Sequence, residues 1–139
     1  MRKIGMLSIA LAVALAAYAF GVDQAANAQG AMPAGVKASK LANGTTVLVD
    51  AKGMTLYTYA KDAGDGKSVC NGGCAKNWPP LSVAADAKAT GDWTIVTRDD
   101  GMKQWAYKTK PLYGWVKDAK PGDTTGDGAG GGSWKLATP

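Results

Sequence analysis

Two stretches of the chain carry the same succession of apolar and polar positions. In the first, β-prone segments at 36–41 and 45–50 flank Asn43-Gly44; in the second, segments at 93–98 and 102–108 flank Asp99-Asp100-Gly101. Asn-Gly and Asp-Gly between apolar segments predict tight hairpins, because those residues accept the left-handed backbone of the turn. A short turn follows each pair, at 51–53 and 109–111, and then a third strand. Leu56-Tyr57-Thr58-Tyr59-Ala60-Lys61-Asp62 is answered 56 residues later by Leu112-Tyr113-Gly114-Trp115-Val116-Lys117-Asp118, and Trp78 is answered by Trp134 at the same spacing. Period-two alternation puts Tyr57 and Tyr59 on one face of the third strand and Leu56 and Thr58 on the other, and Tyr113 and Trp115 repeat the first face. Gly- and Asp-rich loops, 63–77 and 119–133, lead to a fourth strand in each copy. A spacing shared by several landmarks is the signature of internal duplication.

The pattern therefore predicts an all-β protein: about eight short antiparallel strands in two tandem, pseudo-symmetric four-stranded units, about 36–83 and 93–138, forming a sandwich or small barrel. Two units are too few to close a propeller. Composition agrees, since the chain has 19 glycines and no glutamate, which disfavours helix. With 139 residues, one domain is expected, here 36–139 behind a short polar arm at 29–35.

The N-terminus reads differently. Arg2 and Lys3 precede an apolar run from 4 to 22, and Ala26-Asn27-Ala28 is a small-x-small cleavage pattern, so residues 1–28 are expected to be a signal peptide. The alternative is an uncleaved anchor, but the run is mostly alanine. Cys70 and Cys74 are the only cysteines, so the new N-terminus would have no acceptor for a lipid anchor. The expected product is periplasmic or secreted, soluble, without a transmembrane segment, and monomeric. Losing Arg2, Lys3 and Asp23 takes the net charge from +5 to +4, with lysines scattered singly rather than in a block that would grip nucleic acid.

The chain contains no histidine, which removes the commonest general base and metal ligand. Cys70-Asn71-Gly72-Gly73-Cys74 in an exported chain predicts a disulfide across a tight loop. A redox-active pair is the alternative; a haem attachment site is excluded by the spacing and the missing histidine. Asp65, Asp123 and Asp127 sit in the Gly-rich loops, where aspartate is ordinary turn chemistry and, alternatively, a weak Ca²⁺ site. A soft metal would have only Met32, Met54, Met102 or the reduced cysteines. No other cofactor is expected. The third-strand aromatics are expected in the core, with Asp62 and Asp118 accepting hydrogen bonds from them. Trp78, Trp105 and Trp134 belong to the same core, or alternatively to a platform on which a planar ligand stacks. A paired-carboxylate hydrolase would need a deep cleft that two small units scarcely provide.

The motif Tyr-x-(Phe/Trp/Tyr)-x-x-Asp, present as Tyr57, Tyr59, Asp62 and again as Tyr113, Trp115, Asp118, resembles a bacterial family of lipoproteins and secreted repeat proteins of unknown function. Asn77-Trp78-Pro79-Pro80-Leu81, Gln104-Trp105-x-Tyr107, Pro111-Leu112-Tyr113 and Trp134-Lys135-Leu136 carry the resemblance from about 45 to the C-terminus. It implies an envelope location and a repeat architecture, with no catalytic residues to transfer. The functional expectation is a non-catalytic binding or interaction module of the cell envelope, its partner a glycan or a protein. The alternative is a small redox or metal-handling protein using Cys70–Cys74 or the Asp loops.

Overall fold

The computed structural model describes residues 31–139; the expected signal peptide lies outside the described residues. Seven strands form three small antiparallel sheets. β1 (Lys37–Lys40) pairs with β2 (Thr46–Val49), β3 (Tyr57–Tyr59) pairs with β7 (Trp134–Leu136), and β4 (Trp93–Thr97), β5 (Lys103–Tyr107) and β6 (Lys110–Pro111) form the third sheet. Two short helical turns, α1 (Gly73–Asn77) and α2 (Ala129–Gly132), lie in the two long loops. The fold is all-β, as expected, built as three small antiparallel sheets and not as a closed barrel.

The hairpins obey the turn chemistry of the sequence. Asn43 and Asp100 each accept the backbone N–H two residues on, at 3.0 and 2.9 Å, and Gly44 and Gly101 take left-handed φ values of 89° and 80°. The hairpins correspond at a spacing of 57 residues (Leu48 with Trp105) and the rest at 56 (Leu56 with Leu112), so the second copy is one residue shorter in between. The shorter connection turns on Lys108 and Thr109, both at positive φ, rather than at 109–111.

The fourth strand of the first copy is the missing eighth. Pro79 and Pro80 have no N–H to donate, so this stretch makes only the isolated Pro80–Tyr113 bridge where β7 makes a ladder. Its partner is nevertheless clear: Gly114 N–H donates to Pro79 O (2.8 Å) and Val116 N–H to Asn77 O (3.1 Å). The two copies thus exchange their fourth strands. β3 of the first copy pairs with β7 of the second, and residues 112–116 of the second pair with 77–81 of the first. Between them, Tyr57 and Tyr113 each donate a backbone N–H to the other's carbonyl, at 2.8 and 3.0 Å, so a pseudo-twofold axis passes between the two tyrosines.

The hairpins join this centre through matched triangles of backbone bonds. Leu48 N–H donates to Ala137 O, Ala137 N–H to Leu56 O and Leu56 N–H to Leu48 O, at 2.8–2.9 Å; Trp105, Leu81 and Leu112 repeat the cycle at 2.9 Å. Alternation along β3 then divides the interior into two cores. Leu56 and Leu112 face Val36, Leu48, Trp93, Trp105 and Tyr107, whereas Tyr57 and Tyr113 face Cys70, Trp78 and Trp134.

Candidate functional site

The second core is built around the twofold, and the motif residues converge on it. Tyr57 hydroxyl donates to Asp118 Oδ2 (2.6 Å), and Tyr113 hydroxyl donates to Asp62 Oδ2 (2.7 Å). Each tyrosine therefore reaches the motif aspartate of the other copy. Each aspartate also caps its own loop: Val69 N–H donates to Asp62 Oδ1 (2.8 Å) and Thr125 N–H to Asp118 Oδ1 (2.9 Å), both seven residues on. Thr125 hydroxyl adds a bond of 2.6 Å to Asp118 Oδ1. Burial pushes the pKa of both tyrosine hydroxyls well up, and the carboxylate each one faces adds to the shift. Burial also raises the pKa of Asp62, against the bonds from Val69 and Tyr113.

Four rings stack through this core in the order Tyr59, Trp134, Trp78, Trp115. Centroid separations are 4.2, 3.7 and 3.9 Å, and the two central indoles are parallel within 3°. The stack alternates between copies and is itself palindromic about the twofold. Tyr57 meets Trp78 edge-on at 5.4 Å and Tyr113 meets Trp134 at 5.1 Å. Trp78 and Trp134 are buried, while Tyr59 and Trp115 at the two ends are half-buried. Trp105 is not with them; it belongs to the first core, edge-on to Trp93.

Cys70 and Cys74 form a disulfide, with Cys70 fully buried against the stack. One group there was not singled out in the sequence. Arg98, only 4% exposed, sends Nη1 to Ser68 Oγ (2.8 Å) and Gln104 Oε1 (2.7 Å), and Nη2 to the Cys70 carbonyl and Asn71 Oδ1. Ser68 in turn bonds the Tyr113 hydroxyl at 2.7 Å, so an Arg98–Ser68–Tyr113–Asp62 chain joins a buried cation to a carboxylate through neutral groups. Gln104 anchors the other side, donating Nε2–H to Leu112 O (2.7 Å). The available signal lay in the repeat: Arg98 and Gln104 stand where the first copy has Leu41 and Val47.

The loop aspartates lie apart from this network. Asp65 closes a turn on Lys67 N–H (2.9 Å); Asp123 accepts from Ala119 and Lys120 N–H and pairs with Lys120 Nζ (2.8 Å), which holds its carboxyl below the usual range; Asp127 is exposed. Among the described residues no three carboxylates or thiols gather as metal ligands would.

Beside the first core, and extending to Trp115 of the second, runs an open groove of about 830 Å³. Its lining includes Val36, Met54, Leu81, Val83, Trp105 and Trp115, with Asp50, Lys52, Asp86 and Lys88 also lining it. The indole N–H of Trp115 has no hydrogen-bond partner.

Fold and core define a duplicated, disulfide-bearing β protein whose two units complete one another. Residues 39–82 and 94–138 match the model of a family described as a secreted repeat of unknown function, and the chain belongs to that family. No curated protein and no solved structure matches the chain. No helix among the described residues is long and apolar enough to cross a membrane.

Proposed function

We propose that this protein is an exported, non-catalytic binding module of the cell envelope, and that its ligand seat is the groove beside Trp115. The observation that carries the reading is the groove's chemistry. Apolar side chains and prolines make up most of its lining and four charged residues, Asp50, Lys52, Asp86 and Lys88, accompany them, the composition of a surface that captures an apolar ligand and orients it with a limited set of polar contacts. That composition favours an apolar segment of an envelope protein over a glycan, which needs a denser set of hydrogen-bonding side chains. The polar core speaks against a hydrolytic role for its aspartates, because Asp62 and Asp118 are each occupied by a tyrosine and a loop N–H.

The test is a titration of the oxidised protein with extended apolar peptides and, separately, with peptidoglycan fragments, followed residue by residue in amide NMR spectra. Saturable shifts at Val36, Leu81 and Trp115 with peptides, lost in Val83→Asp, are the expected result. Saturation by peptidoglycan fragments alone moves the ligand to the glycans. No response to either overturns the groove as the seat. A Cys70–Cys74 disulfide that oxidises a model dithiol substrate to its disulfide, with turnover when oxidised glutathione is added to reoxidise the cysteines, would instead favour the redox reading.

A further inference from the structure

The ring stack and the two tyrosine–carboxylate pairs together carry a second inference, independent of the groove. We propose that the second core is a one-electron relay: oxidising equivalents enter at the half-buried Trp115 or Tyr59, pass along the stacked rings, and come to rest on Tyr57 or Tyr113, each of which gives up its proton to the carboxylate it faces.

Three observations support it. The four rings are in face contact with no break, at 4.2, 3.7 and 3.9 Å, and only the two terminal rings are open to solvent. Of the five tryptophans, Trp115 alone is not buried, so an oxidant in solution meets the stack at its end. Each central indole has one tyrosine against it edge-on, and that tyrosine's hydroxyl already donates to a carboxylate, at 2.6 and 2.7 Å. A buried phenol cannot lose an electron easily unless its proton has somewhere to go. Asp118 and Asp62 supply that place within an existing hydrogen bond, and burial raises the pKa of Asp62, which favours its taking the proton.

The step balances as follows. A one-electron radical oxidant takes an electron from Trp115 and leaves as its anion. Trp115 is refilled by Trp78, and Trp78 by Tyr57, whose proton moves to Asp118 Oδ2. The products are the neutral Tyr57 phenoxyl radical and a protonated Asp118. Where the oxidant instead takes its electron from Tyr59, the phenol proton of Tyr59 passes to water and returns from water when Trp134 refills it; Tyr113 then refills Trp134, and its proton moves to Asp62 Oδ2. The Arg98–Ser68 bond onto Tyr113 oxygen stabilises the phenoxyl form at that end.

Pulse radiolysis with azide radical at neutral pH tests this on the disulfide-bonded protein. The expected result is a tryptophanyl radical that converts to a tyrosyl radical by first-order kinetics, at a rate independent of both protein and buffer concentration and slower in deuterated water. The Tyr57→Phe/Tyr113→Phe double variant should lose most of the tyrosyl yield, and Trp115→Phe most of the initial tryptophanyl yield. Conversion that is second order in protein, or accelerated by buffer base, overturns the proposal, as does an undiminished tyrosyl yield in a folded double variant. The wild-type kinetics decide the matter even where the double variant does not fold.

Discussion

The two long loops, 63–77 and 119–133, enclose the same pair of stacked indoles from opposite sides of the twofold, yet they are held by different chemistry. Position 70 in the first corresponds to 126 in the second, and 74 to 130: a disulfide stands where the other copy has two glycines. The glycines are required by contact. A Cβ on Gly126 would lie 2.7 Å from Trp78 Cη2 and 3.1 Å from Trp115 Cδ1, and one on Gly130 would lie 3.3 Å from Trp134 Cδ1. The explanation is an exchange of volume. The second copy has the larger Trp115 at the middle aromatic position of its motif and Gly126 beside it; the first has the smaller Tyr59 there and fills the core with Cys70. Once filled by a cysteine, the first loop is closed covalently and clamped by Arg98, whereas the second is closed by Asp123 and its own backbone. Symmetry in this molecule is a property of the shared core, and each loop reaches it by its own route.

The largest expected effect belongs to what the halves share. An unfolded tyrosine ionises near 10.0, while burial keeps both Tyr57 and Tyr113 protonated well beyond that value. The native state therefore holds two protons that the unfolded chain releases. Their stabilisation is complete below pH 10 and is lost as pH rises, by about 2.7 kcal/mol per pH unit for the pair. Denaturant midpoints measured across alkaline pH should show this slope, and Tyr57→Phe or Tyr113→Phe should each remove half of it; an unequal division would break the equivalence of the two pairs.

Steric asymmetry comes next. Gly126→Ala should cost about 3 kcal/mol, the upper range of overpacking, whereas an alanine at Gly73, with nothing within 4 Å of its Cβ, should be nearly neutral. Thermal melts of the two variants check it, and a tolerated Gly126→Ala would show that the indole stack gives way.

Removing the aspartates should cost about 1–3 kcal/mol each by leaving buried donors unpaired. Asp118→Ala should be the more damaging, because it strands Tyr57 hydroxyl together with Thr125 N–H and Thr125 hydroxyl, while Tyr113 keeps Ser68 when Asp62 is lost. Melts in Ca²⁺ and in chelator should coincide for wild type and variants alike; a Ca²⁺-dependent gap would return the Asp loops to consideration as a metal site. Smallest is the disulfide itself. So short a loop contributes about 2 kcal/mol in the chain-entropy picture, so reduction should lower stability by that amount without unfolding the second copy's loop. Backbone amide exchange, confined to 63–77 after reduction, would sharpen the comparison.

Much of this arrangement is legible in the sequence, and the illegible part has a definite cause. Asn43-Gly44 and Asp100-Gly101 announce their hairpins because the turn needs their backbone conformation, and the repeated third strand announces the duplication. What repetition conceals is pairing. When both copies carry Tyr and Asp at the same places, nothing local says whether Tyr57 bonds Asp62 or Asp118; only the closure of the whole chain decides. The irregular stretch at 78–81 was announced by Pro79-Pro80, which the repeat pattern outweighed. Arg98 reads as a surface residue at a strand end until the copies are aligned with the spacing of 57 that the hairpins follow. The volume exchange at Gly126 needs coordinates, since no sequence position shows how near an indole lies.

The exchanged fourth strands bear on ancestry. A lone copy would present its third strand without β7 or the equivalent of 77–81, its motif tyrosine without an aspartate and its motif aspartate without a tyrosine. Two identical copies would satisfy each other completely around a true twofold. The tandem chain has the form of such a homodimer joined end to end. Within one chain the halves need not be identical, and each can differ in its loop without the same difference appearing on the other side.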